Sequence, residues 1–132
     1  MRPLGLKPTM NAGTPEITFD IAENGDTITF ACSGPLTIDT IEVLRKKLDG
    51  ITPSPTLKRL FFDLSNVSAV DPSGIGLLVD LHARLVEGRR RVYFFRPTKP
   101  VRSLIDELGL SDFLRCLGHE DELLIRMPDQ PK

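Results

Sequence analysis

Apolar and polar residues alternate through Ile17, Phe19 and Ile21, and again through Ile28, Phe30 and Cys32, with Asn24-Gly25 between the two runs. A period of two marks a half-buried strand, and Asn-Gly supplies the positive φ values of a tight turn. The pattern therefore predicts an antiparallel hairpin with one solvated side or at a sheet edge, its second strand broken by Gly34-Pro35. The spacing then lengthens to three and four. Ile38, Ile41, Leu44 and Leu48 predict a helix begun by Thr37 or Asp39, with Asp39 and Glu42 at capping-box spacing and Gly50 closing the far end. The proline-rich run from Thr52 to Thr56 reads as a rigid connection.

Residues 59 to 64 are apolar enough for a central strand. A polar loop follows them, and a second helix starts at Asp71. Gly88 ends that helix, Arg89-Arg90-Arg91 reads as its solvated, dipole-compatible end in preference to a phosphate-contacting patch, and Val92 to Phe95 form another strand. Thr98 caps a third helix with Val101, Leu104, Ile105 and Leu108 on one face and Gly109 as its stop. Asp112 to Leu117 reads as a helical turn and Glu122 to Met127 as a last strand. The order predicts an α/β domain over residues 15–127, with a mixed β-sheet, an antiparallel N-terminal hairpin followed by βαβα units, and helices packed on the sheet. Residues 1–14 read as a flexible arm and 128–132 as a tail.

The 132 residues suit one core. Seventeen basic and eighteen acidic residues leave a net charge of −1, with no global field to hold nucleic acid or an anionic membrane. No apolar run approaches the roughly eighteen residues of a membrane span, so no direct membrane insertion and a cytoplasmic location are expected. Cys32 and Cys116 have no metal-ligand spacing and read as reduced core thiols, although the spacing leaves a disulfide between them open.

Reactive groups are sparse. His82 falls on the apolar side of its helix and reads as a satisfied structural histidine, while His119 falls in a polar loop; nothing joins either to Ser73 or to a cysteine. Gly74-Ile75-Gly76 lacks the third glycine of a dinucleotide fingerprint, and no lysine stands where a phosphate loop requires one. Asp63, at a strand end, and Asp71, as a cap, have structural tasks in place of a metal. No catalytic residue, metal ligand or cofactor is expected.

The remaining candidate is the mouth of the second helix. Asp71 is a good N-cap, and Pro72 suits the first helical position, where its missing N–H would be unpaired anyway. Steps of about 100° put Ile75, Leu78, Val79, Leu85 and Val86 on one face, with His82 near its centre. Ser73, Gly76, Asp80, Arg84 and Glu87 share the other face, with Leu77 on its border. A serine in the first turn, a flat spot at Gly76 and a leucine at the solvent edge describe a small docking surface; alternatively Gly76 relieves helix crowding and Leu77 is core.

The run Asp63-Leu64-Ser65-x-Val67-x-x-Val70-Asp71-x-Ser73-Gly74-Ile75-Gly76-Leu77-Leu78 resembles the signature of STAS domains, the sulfate transporter and anti-sigma factor antagonist family. Gly34-Pro35-Leu36, Leu108-Gly109-Leu110 and Phe113 support the resemblance, which covers about residues 16 to 127. It implies a non-enzymatic partner switch that binds an anti-sigma factor with a histidine-kinase-like ATPase fold and regulates transcription. It also implies partner contacts at Asp71, Pro72, Ser73, Gly74, Gly76, Leu77 and Asp80. The family's usual phosphoacceptor directly follows the aspartate, and here that position is Pro72, which has no hydroxyl; Ser73 is the candidate in its place. The proline equally suits a constitutive subunit or sensor, docked on an ABC-type lipid transporter or a larger signalling assembly and never phosphorylated.

Overall fold

The hairpin is realised as β1 (Thr18–Asn24) and β2 (Thr27–Leu36), paired antiparallel with Phe19 opposite Cys32 and Ile21 opposite Phe30. Asn24 pairs with Thr27, so the two-residue turn is Gly25-Asp26, one position later than expected, with the positive φ at Gly25. The computed structural model describes residues 16–115. Within them β2, β3 (Arg59–Val70) and β4 (Arg91–Phe95) run parallel, and the sheet order is β1-β2-β3-β4. The crossovers are α1 (Ile41–Ile51) and α2 (Pro72–Glu87), followed by α3 (Lys99–Glu107) and the short α4 (Ser111–Leu114). This is the mixed α/β sheet with an edge hairpin that the patterning predicts. The proposed arm, tail and last strand, Cys116 and His119 lie outside the described residues.

Several local expectations are corrected. Gly34-Pro35 does not end β2: the strand continues to Leu36 through register shifts, and Ser33 to Leu36 pair with Asn66 to Val70. That pairing turns the expected polar loop after residue 64 into the second half of β3. Gly34 sits at a φ of 119°, and a Cβ there would lie 2.4 Å from the Glu16 carbonyl oxygen. Only glycine lets β1's approach and the strand irregularity coexist. No capping box forms on α1, because the cap is Thr40, and Gly50 lies inside the helix. Ile41, Leu44 and Leu48 are buried, whereas Ile38 precedes the helix and is 61% exposed.

Packing follows the sheet register. Phe30, Phe62 and Phe94 occupy facing positions on β2, β3 and β4, with ring centroids 5.1 and 5.9 Å apart, and Phe19 adds a fourth ring 5.5 Å from Phe30. The row is fully or partly buried and makes a continuous apolar floor on which α2 lies. Phe61 and Tyr93 stack on the opposite face at 5.1 Å. Thr98 marks the start of α3, but its hydroxyl donates to the Val67 carbonyl, 2.9 Å away, tying α3 to the end of β3. Leu108, expected in the core, is 44% exposed, because it lies past the last turn and only Val101 and Ile105 are fully covered.

Asp63 accepts from the Arg96 guanidinium at 2.7 Å and from the Ser65 amide at 2.9 Å. Cys32 is a free, buried thiol; burial, and then the Asp63 charge, push its pKa up from the ordinary 9.0 to about 12. The folded value lies above the unfolded one. Its contribution to stability is therefore complete below pH 9 and is lost progressively as pH rises through that window toward 12. Peptide mapping after iodoacetamide treatment at mildly alkaline pH is expected to find Cys32 unmodified in the native protein and fully modified in urea. Rapid native modification of Cys32 would contradict this placement.

Candidate functional site

Asp71 has the extended backbone of an N-cap, with φ −130° and ψ 176°. Its Oδ1 accepts from the Gly74 amide at 3.1 Å, satisfying one of the open donors of the first helical turn. Its Oδ2 accepts from the Ile38 amide at 3.0 Å, and its own amide donates to the Leu36 carbonyl at 3.3 Å. One residue thus ties the mouth of α2 to the connection between β2 and α1. Gly74 completes the joint: a Cβ there would stand 2.2 Å from the Leu36 carbonyl oxygen, so the helix can come this close only without a side chain.

Of the seven sequence-derived contact positions, Pro72, Gly76 and Asp80 are exposed, Asp71 and Ser73 are half-buried, and Gly74 and Leu77 are buried. Apart from the backbone of its own helix and its chain neighbours, no described residue comes within 4 Å of the Cβ position of Gly76, so this glycine opens to space and does not relieve crowding. Leu77 is 3% exposed and belongs to the core, which corrects its expected place at the solvent edge. The expected inner face also needs revision. Leu81 is buried and Val86 is 52% exposed, because the covered arc of α2 runs through Gly74, Leu78, Leu81 and Leu85, with Ile75 and Leu77 at its sides. Flanking contacts from α1 and α3 widen that arc beyond the side facing the sheet.

Asp80 is shared with Arg84 at 3.4 Å, and Arg84 also reaches Asp49 of α1 at 3.1 Å. Hydrogen bonding to Asp49, with further help from Asp80, raises the Arg84 pKa. The arginine run beyond α2 divides its tasks. Arg89 is exposed, Arg90 donates to the Thr52 carbonyl, and Arg91 reaches the Tyr93 hydroxyl at 3.4 Å.

Among the described residues, no reactive constellation stands at the mouth. A cavity of about 610 Å³, lined by His82, Val86, Tyr93 and Phe113 among others, lies at the opposite end of α2, beside the start of β4. His82 packs edge-on to Phe113, with ring centroids 4.8 Å apart, and among the described residues its buried Nδ1 has no hydrogen-bond partner. Packing holds this histidine, in place of the satisfied hydrogen bonding expected of it. Asp63 and Asp71 are not a carboxylate pair, since one is bound to Arg96 and the other to two amides. Among the described residues, no three His, Cys, Asp or Glu side chains converge as a metal site. No described helix is long and apolar enough to cross a membrane.

The architecture is that of a small α/β module with a capped, partly open helix mouth. The chain belongs to the STAS domain family, whose pattern matches residues 18–123. Its fold is similar to the anti-sigma factor antagonist SpoIIAA in its unphosphorylated form, with a TM-score of 0.70, 20% identity, and coverage of 87% of this chain and 100% of that one. An anti-sigma factor antagonist from Mycobacterium paratuberculosis gives a TM-score of 0.74 at 18% identity, over 86% of this chain and 96% of that one. SLC26A9, whose murine form is an anion transporter, gives 0.68 at 18% identity over 82% of this chain, which spans 21% of that much longer protein. No curated protein matches the chain.

Two neighbouring glycines test the joint. Gly74→Ala is expected to lower the unfolding free energy in urea by about 3 kcal/mol, because the methyl meets backbone that cannot move aside. Gly76→Ala is expected to raise it by ~0.5–1 kcal/mol through helix propensity alone. Equal effects at the two positions would contradict the geometry. Asp71→Ala is expected to cost about 1–2 kcal/mol, the loss of an N-cap together with the Ile38 tie.

Proposed function

We propose that this chain is a non-enzymatic recognition module of the anti-sigma factor antagonist type. It acts in the cytoplasm through residues 15–127 and binds an anti-sigma factor with a histidine-kinase-like ATPase fold. The observation that carries the reading is the mouth of α2. Pro72, Gly76 and Asp80 are exposed along the first turns of α2, whose start is fixed from behind by Asp71 and Gly74. A rigid, partly exposed helix start with a flat spot suits the close approach of a protein.

Ser73 is the proposed phosphoacceptor, since Pro72 occupies the usual position without a hydroxyl. A phosphate there adds ~2 negative charges beside the Asp71 carboxylate and opposes docking on the same surface. The same proline supports a second reading, a constitutive subunit or sensor within a transporter or signalling assembly, in which this turn is never modified.

Titration against the histidine-kinase-like ATPases encoded in the same genome is the direct test. One of them is expected to form a stable complex, and Gly76→Lys, which has room to fold, is expected to abolish it. Failure of every such ATPase to bind would overturn the reading. Ser73→Asp is expected to weaken the complex by ~2 kcal/mol or more, as a charge desolvated on docking should. Site mapping by mass spectrometry of protein from its own host separates the two readings: phosphate on Ser73 supports the switch, and an unmodified pool under all growth conditions supports the constitutive subunit.

A further inference from the structure

Ile38 is the most exposed large apolar side chain among the described residues, and it lies in the connection between β2 and α1. A lone exposed isoleucine has no meaning by itself. What sets this one apart is how firmly its backbone is held. Its amide donates to Asp71 Oδ2 at 3.0 Å. Two residues on, the buried Thr40 hydroxyl accepts from the Thr37 amide at 3.1 Å and donates to the Pro35 carbonyl at 2.7 Å. The loop is pinned on both sides of Ile38 while the side chain is left in water. Ordering it on binding therefore costs little, and covering it removes apolar surface from solvent, the combination found in interface anchors. Asp39, exposed beside it, takes part in no ion pair among the described residues.

We infer that Ile38 is an apolar anchor of the partner surface, received by an apolar pocket with a basic group at its rim for Asp39. Asp71 acts as its positioning residue and does not itself contact the partner. The inference rests on the proposed partner-binding reading. It differs from that reading in where the contact lies: both oxygens of Asp71 are already taken by Gly74 and Ile38, so its carboxylate serves the surface from behind.

The test is a double-mutant cycle on the complex with the ATPase partner, using Ile38→Ala, Asp71→Asn and the double variant. Asparagine keeps one oxygen to accept from Gly74 but has no second acceptor for Ile38, so the helix cap survives while the tie is cut. Ile38→Ala is expected to weaken binding about tenfold or more. Asp71→Asn is expected to weaken it several-fold when Ile38 is present and to leave the affinity within about twofold when alanine replaces it. Faster hydrogen exchange of the Ile38 amide in free Asp71→Asn is expected alongside. Binding by Ile38→Ala within about twofold of the parent, or an equal loss from Asp71→Asn in both backgrounds, would overturn the anchor and leave the partner reading standing. A parent protein that binds no such ATPase would remove both.

Discussion

A single carboxylate, that of Asp71, accepts from the amides of Gly74 and Ile38, and the geometry of the surface depends on this sharing. Each bond would be ordinary alone. Together they fix two segments 33 positions apart in the chain relative to each other. The first turn of α2 cannot move without moving the connection between β2 and α1, and the bare face of Gly74 against the Leu36 carbonyl leaves no slack for either. Hydrogen bonds from amides to an ionised acceptor are among the stronger ones available to a protein, which suits a joint that lies close to water.

Topology explains why the joint is where it is. β2 and β3 are parallel neighbours, so the connections leaving their C-terminal ends emerge side by side on one edge of the sheet. Open α/β sheets commonly place their recognition surfaces on that edge. Here β2 and β3 both extend beyond the central paired stretch, to Leu36 and Val70, and carry their following segments out together. Behind them, Arg84 of α2 bridges to Asp49 of α1, and the Phe30, Phe62 and Phe94 row supports α2 from below. The cavity around His82 lies at the other end of the same helix, and its chemistry is not brought to the mouth.

Much of this was legible in the residues, for identifiable reasons. Alternation declared the hairpin, Asp71-Pro72 declared the start of α2, and the apolar run at Leu60 to Phe62 declared a central strand. What escaped were features decided by partners distant in sequence. The polar stretch from Ser65 to Val70 is a strand only because Ser33 to Leu36 lie beside it. Gly74 hides the centre of the buried arc of α2, since a glycine adds nothing to a hydrophobic pattern, and the pattern alone therefore puts the outer border at Leu77, which is interior. The spacing of Ile38 fits the core face of α1. The Asp71 tie instead holds it ahead of the helix, facing water, and no local pattern reports a bond across that separation.

The proposed recognition surface is one compact area, formed by the Ile38 connection and the first turns of α2, on a fold of the STAS family. Backbone NMR of the labelled protein, free and with the proposed ATPase partner, tests that proposal most directly. The account predicts that shift changes and exchange protection concentrate at residues 37–40 and 72–80, with the β1 edge and the surroundings of His82 unaffected. Perturbations centred on β1 or on the cavity beside β4, with the α2 mouth unchanged, would contradict it.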